Sequence, residues 1–120
     1  MERGTILVVD DEPNIADLVE LYLRRDGFRV VKVATGEDAV AAVTTHRPRL
    51  VVLDVGLPDI DGLDVYREIA KRWPGLPVLF STGHGDETML QPVLSAHVAY
   101  IQKPYEMQAL MDALDKVIQK

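Results

Sequence analysis

The chain has 120 residues, 48% of them hydrophobic and 27% charged, with no cysteine and a formal net charge of −6. That length suits one domain around a single core, and the missing cysteines exclude disulfides and thiolate metal sites. The acidic balance disfavours direct nucleic-acid binding, which needs a cationic stripe. No apolar run approaches the roughly 20 residues of a membrane span. The opening MERGTILVVDDEP lacks a secretory apolar segment. These features predict a single cytoplasmic domain over residues 1–120, without membrane insertion and without a DNA-binding output module in these residues.

The first predicted element is the run Thr5–Val9, apolar at consecutive positions as a strand covered on both faces would be. A helix follows from Pro13, a residue suited to the first helical turn. It carries Ile15, Leu18, Val19 and Tyr22 at i, i+3, i+4 and i+7, and Gly27 ends it. Leu21 lies off that seam and is expected at the surface. The second strand is Phe28–Val33. The second helix opens at Thr35, a good N-cap, with Glu37 and Asp38 favoured in its first turn. It stops before Arg47-Pro48.

Leu50–Leu53 is the third strand. A helix from about Gly62 to Trp73 turns Val65, Tyr66 and Ile69 inward and is terminated by Pro74-Gly75. The fourth strand is Val78–Ser81. The segment Asp86–Ala96 is where a fourth helix belongs, but Pro92 removes a backbone hydrogen bond there. A very short, kinked or partly unwound helix is expected. Val98–Ile101 is the fifth strand. In the last helix Met107, Leu110, Met111, Leu114, Val117 and Ile118 form one apolar stripe. Five strand–helix units predict an α/β fold, a sheet with helices on both faces.

In open α/β sheets functional groups gather beyond the carboxyl ends of the strands. Strand one ends in Asp10-Asp11, strand three in Asp54 and strand four in Thr82, and Lys103-Pro104 follows strand five. Taken singly, each has a plainer explanation: a solvated turn, a helix cap, a strand-end residue. Together they place carboxylates where they repel, by roughly 4 kcal/mol for a pair about 4 Å apart at an effective dielectric near 20. Oxygen-only ligation relieves such strain with a hard cation, and Mg²⁺ readily bridges carboxylates to phosphate. A phosphoryl group at Asp54 would meet the metal on one side and the Lys103 ammonium on the other, and the Thr82 hydroxyl could donate to one of its oxygens.

The segments ILVVDDEP, LVVLDVGLPDIDGL, PVLFSTG and AYIQKPY resemble the signature blocks of the response-regulator receiver family over essentially the whole chain. The resemblance implies a flavodoxin-like, doubly wound (βα)5 fold with strand order 2-1-3-4-5. It implies Asp54 as phosphoacceptor, Lys103 as the phosphate-binding lysine, and Thr82 with Tyr100 as switch residues. It also implies Mg²⁺ or Mn²⁺ held by Asp10, Asp11, Asp54 and the backbone carbonyl of Gly56. Gly56 and His84 flank the site, and Gly56 is smaller than the side chains often found there, which leaves one edge open. Lys103-Pro104 resembles the family's cis peptide.

The implied phosphodonor is a sensor histidine kinase or a histidine phosphotransfer protein, docked on the first helix, where Leu21 is a candidate contact. The implied output is a protein target met by the face of the fourth helix, fifth strand and fifth helix. Ala96-His97 stands where the family commonly has Gly-Ala, a departure that adds to the irregularity at Pro92. The domain would be a signalling switch that assists its own phosphorylation and hydrolysis, not a turnover enzyme. Three other functions compete. A nucleotide- or flavin-binding module would need a Gly- or Ser/Thr-rich turn after strand one to cradle phosphate, where Asp10-Asp11-Glu12 would repel it unless a metal intervened. A pseudo-receiver that only binds proteins would lack Asp54, Lys103 or the acidic pair. An aspartate-nucleophile phosphatase would need a second Asp two residues on, where Gly56 stands. The spread of His46, His84 and His97 along the chain does not suggest zinc.

Overall fold

The inner strands of the sheet are runs of consecutive apolar residues, while one edge strand carries Arg29 and Lys32. In the computed structural model, which describes residues 3–83 and 87–118, the strands are β1 (Thr5–Val9), β2 (Arg29–Val33), β3 (Leu50–Asp54), β4 (Val78–Thr82) and β5 (Val98–Gln102). All neighbours pair in parallel, in the order β2-β1-β3-β4-β5. This is the expected topology. The helices are α1 (Pro13–Arg25), α2 (Gly36–His46), α3 (Gly62–Arg72), α4 (Glu87–Leu90) and α5 (Met107–Val117).

Strand side chains alternate between faces, and each face has its own core. Ile6, Val8, Leu50, Val52 and Leu79 meet α1 and α5 through Val19, Leu23, Leu110 and Leu114. Leu7, Val9, Val51, Leu53 and Phe80 meet α2, α3 and α4 through Ala39, Val43, Val65, Ile69 and Leu90. The packing is what makes the helices stable. α2, α3 and α5 have 11 residues each, short of the roughly 12–15 an isolated helix needs in water. Each fully buried Leu or Ile contributes roughly 1.5–3 kcal/mol instead.

Local signals set the helix ends as read. Pro13 is the first residue of α1. The Thr35 hydroxyl accepts from Asp38 N–H at 3.1 Å and caps α2. Asp61 does the same for α3 through Leu63 N–H at 2.8 Å. A third cap crosses the molecule: the Asp59 carboxylate, in the loop after β3, accepts from Gly36 N–H at 2.8 Å and Glu37 N–H at 3.1 Å at the start of α2. A Cβ on Gly36 would sit 2.6 Å from Val65 Cγ2. The loop leaving β3 is therefore pinned to α2 as well as to α3.

Two expectations are corrected. Leu18 was assigned to the inner seam of α1 but is exposed, as is Leu21. At about 100° per residue the buried centre falls on Ala16, Val19 and Leu23, and Leu18 lies well round the cylinder from it. α3 ends at Arg72, and Trp73 is its cap. The fourth helix is a single turn, Glu87–Leu90, followed by a 3₁₀ turn Gln91–Val93 that holds Pro92. That is the partial unwinding expected from the missing N–H.

Arg47 closes α2 in the left-handed conformation, φ 45° and ψ 61°, and is the one non-glycine with positive φ among the described residues. The position usually belongs to glycine, because a side chain there costs roughly 1–2 kcal/mol. Arg47→Gly is expected to stabilise the protein by about 0.5–1 kcal/mol, once glycine's greater freedom in the unfolded chain is subtracted. The urea midpoint measures this. An unchanged or lower midpoint would mean that contacts of the arginine side chain outweigh the backbone strain.

Candidate functional site

Register brings the strand ends together. Val9 pairs with Leu53, Asp54 with Ser81, and Thr82 with Gln102, so the residues that end or follow β1, β3, β4 and β5 share one edge. Parity does the rest. Asp10 continues the Ile6–Val8 face and Asp54 the Leu50–Val52 face, so both carboxylates lean to the side of α1 and α5. Both are buried, at 6% and 5% exposure.

Lys103 Nζ stands among the carboxylates. It lies 3.1 Å from Asp10 Oδ2, 3.1 Å from Glu12 Oε1 and 3.5 Å from Asp54 Oδ1. Oxygens of Asp10, Glu12 and Asp54 all fall within 4.8 Å of one another. Backbone groups tie two of the carboxylates down, since Glu12 N–H donates to Asp10 Oδ1 at 2.9 Å and Gly56 N–H to Asp54 Oδ1 at 3.2 Å. The Lys103–Pro104 peptide is cis, as expected, and Lys103 N–H donates to Thr82 O at 2.8 Å.

The electrostatics follow from burial. Desolvation, followed by repulsion from Asp10, pushes the Asp54 carboxyl above the ordinary carboxylate range, while Lys103 and Gly56 N–H act against the rise. Burial works against the charge of Lys103, but hydrogen bonds to Asp10 and Glu12 and the field of Asp54 outweigh it and hold its ammonium above the usual lysine range. Folding thus keeps a cation clamped between acids, one of which resists ionisation. Three carboxylates in an all-oxygen set form a group that could hold a hard metal ion.

The remaining sequence candidates are placed as follows. Thr82 is buried, and its hydroxyl donates to Gly83 O at 2.7 Å. Tyr100 is half-buried and pairs with Phe80 across β4 and β5. With Phe80 it packs into the core on the α2 and α3 side, the face to which Thr82 also alternates. Gly56 is exposed, and a Cβ added there would meet no atom within 4 Å, so that edge of the site is open. Asp11 is exposed and lies outside the converging carboxylates. It borders a groove with Pro13, Asp17 and Lys32 beside the site. His84 falls outside the described residues. Leu21, on the outer side of α1, is 47% exposed.

Sequence reading missed Glu12 as a member of the cluster. Its position next to the acidic pair was visible, but the contact with Lys103 depends on how the chain leaves β1 for α1. It also missed Asp59 as the cap of α2, a contact between residues more than twenty apart in sequence. Gly62 was read only as a helix start. A Cβ there would lie 2.5 Å from Asp54 O and 2.7 Å from Val55 Cα, so glycine is what allows α3 to begin against the strand end that carries Asp54.

Comparison with known proteins agrees with this geometry. The family model described as the response regulator receiver domain matches residues 6–115. The probable transcriptional regulatory protein TcrX of Mycobacterium tuberculosis is 37% identical over 117 residues, 97% of this chain and 50% of that protein. The DNA-binding response regulator MtrA of Mycolicibacterium smegmatis is 34% identical over 110 residues, 91% of this chain and 48% of that protein. The chain thus spans about half the length of these two relatives. A receiver domain protein from Clostridium thermocellum superposes with a TM-score of 0.87 at 30% identity, covering 96% of this chain and 94% of that one. The strand order, the acidic edge and these matches agree: the chain belongs to the response regulator receiver domain family of two-component systems.

Proposed function

We propose that this receiver domain is a phosphorylation-dependent switch that accepts a phosphoryl group on Asp54 from a phosphohistidine. The observation that carries the reading is Lys103 Nζ held within 3.5 Å of Asp10, Glu12 and Asp54 at one end of the sheet. An Asp54 oxygen forms the new bond to phosphorus while the phosphorus–nitrogen bond of the donor breaks, and the imidazole leaves with that electron pair. Phosphoryl transfer needs mainly positioning and charge neutralisation. Lys103 supplies a half-buried cation at the acceptor, and the open edge at Gly56 gives the donor a way in.

The all-oxygen set of Asp10, Glu12 and Asp54 fits Mg²⁺ or Mn²⁺, and Asp11, at the rim, and the Gly56 carbonyl would be further oxygen donors if they turn toward the ion. The ion, when bound, neutralises charge shared between the carboxylates and the phosphoryl oxygens. Thr82 then acts as the sensor. Its hydroxyl, which donates to Gly83 O in this structure, changes acceptor to a phosphoryl oxygen. Tyr100, half-buried on the same sheet face, follows the space that Thr82 vacates. That is a two-state surface biased by differential contacts with one phosphate.

A histidine kinase or phosphotransfer protein is the donor in this reading, docking beside the exposed Leu18 and Leu21 of α1. The face of α4, β5 and α5 is the output surface, and it meets a protein target rather than nucleic acid. The switch works in the cytoplasm. Its chemistry ends with its own acyl phosphate, so it does not turn over a substrate. No helix among the described residues is long and apolar enough to cross a membrane.

Incubation with acetyl phosphate and Mg²⁺ is expected to add the mass of one phosphoryl group to the wild type and none to Asp54→Asn, read by intact mass. A gain in the Asn variant, or none in the wild type, would sink the assignment and favour a receiver that only binds proteins. The charge cluster makes a second outcome testable by thermal denaturation. Without divalent ions, Asp54→Asn should melt a few degrees above the wild type, because it removes a buried, repelled carboxylate. Mg²⁺ should raise the wild-type midpoint more than that of the variant. A variant less stable than the wild type would show that the Lys103 contact dominates over burial. Leu21→Arg should slow transfer from a cognate kinase about tenfold, equivalent to ~1.4 kcal/mol of docking energy, and leave the acetyl phosphate rate unchanged. Equal slowing of both would remove α1 from donor recognition.

A further inference from the structure

At the end of the sheet remote from Asp54, the last turn of α2, the segment entering β3 and the end of α3 border a half-open recess of about 320 Å³, with Thr44 and Arg47 exposed at its rim. Val43, Thr44, Arg47, Pro48, Trp73 and Leu76 line it. Val43 and Pro48 are buried, and Trp73 and Leu76 are half-buried. The volume lies at the lower end of the roughly 300–1,000 Å³ typical of small-molecule sites. The lining is apolar with a few polar groups, the usual composition of such sites.

Each of those polar groups can donate: the Arg47 guanidinium and the Trp73 indole N–H only donate, and the Thr44 hydroxyl can donate or accept. Among the described residues none of the three side chains has a hydrogen bond or ion pair. Among the described residues no carboxylate lines the recess. An unpaired guanidinium beside an apolar wall suits a planar carboxylate, which it can hold through two parallel N–H···O bonds. The backbone adds an independent observation. Arg47 keeps its side chain at φ 45°, where glycine would be cheaper, and strained non-glycine residues concentrate at ligand clamps.

We propose that this recess is a binding site for a small apolar carboxylate, an aromatic or branched acid, with Arg47 pairing to the acid group and Trp73, Leu76 and Val43 covering the hydrocarbon part. The site is separate from the phosphoacceptor edge and does not depend on its chemistry. It is carried by the unpaired cation, the apolar walls of the recess and the strained cap acting at one place.

Trp73 is the sole tryptophan of the chain, so its indole N–H gives one side-chain signal in a ¹H–¹⁵N spectrum. Titration of the full chain with 2-naphthoate should shift that signal and the amides of Thr44 and Leu76 saturably, and leave those of Asp10 and Asp54 in place. Arg47→Gly, compatible with the local φ, should weaken binding about tenfold or more, the scale of a lost hydrogen bond to a charged group. The neutral 2-naphthamide should bind the wild type no better than naphthoate binds that variant. Shifts that do not saturate, equal affinity for acid and amide, undiminished binding by Arg47→Gly, or shifts centred on Asp54 would each overturn the proposal.

Discussion

Lys103 is held against Asp10, Glu12 and Asp54 at an edge where two of the three acids are buried, and the organisation of that edge depends on this contact. Carboxylates up to 4.8 Å apart repel by roughly 3–4 kcal/mol per pair at an effective dielectric near 20. A fold could not gather them without a positive charge among them. Burial and Asp10 raise the pKa of Asp54 even with the ammonium present. The edge therefore stores unfavourable electrostatics that a further cation can relieve. Such stored cost is what allows one small group to shift a conformational equilibrium.

The two-layer core makes that storage affordable. Strands covered on both faces place Val9, Leu53 and Phe80 beneath the edge on one side and Val8, Val52 and Leu79 on the other. With so many apolar side chains buried below it, the sheet can end in a charged cluster and still fold. Packing also limits where the site can move. The loop after Asp54 is pinned through Asp59 to α2 and through Gly62 to α3, whereas the α4 side is a single turn and a 3₁₀ turn. The pinned half carries Asp54, and the single turn of α4 shares a core with Tyr100, so the switch proposed above would be expressed most easily toward α4.

The two ends of the sheet differ in chemistry. The carboxyl edge gathers acids around one lysine. The opposite edge, at Arg47 and Trp73, presents an unpaired cation beside apolar walls. α2 connects them, capped at its first turn by Asp59 and closed at its last by a strained arginine. A helix capped at its first turn by a residue of another loop is set by tertiary contacts more than by its own propensity, as its 11 residues require.

The five strands, the flanking helices and the candidate positions at the strand ends are legible along the chain. Consecutive apolar residues and the 3.6-residue period are local signals, and Pro13, Thr35 and Pro92 act within one turn of where they stand. Likeness to the receiver signature blocks supplied the strand order, since periodicity alone does not rank neighbours. Only the tertiary structure decided that Leu18 faces solvent, that Glu12 joins Asp10 and Asp54 while Asp11 turns to the rim, and that Asp59 caps α2. The reason in each case is physical: exposure, convergence and capping across some twenty residues depend on register and helix rotation, which pattern along the chain leaves free. Arg47 makes the same point, because its left-handed backbone and the recess beside it exist only once α2, β3 and α3 are packed together.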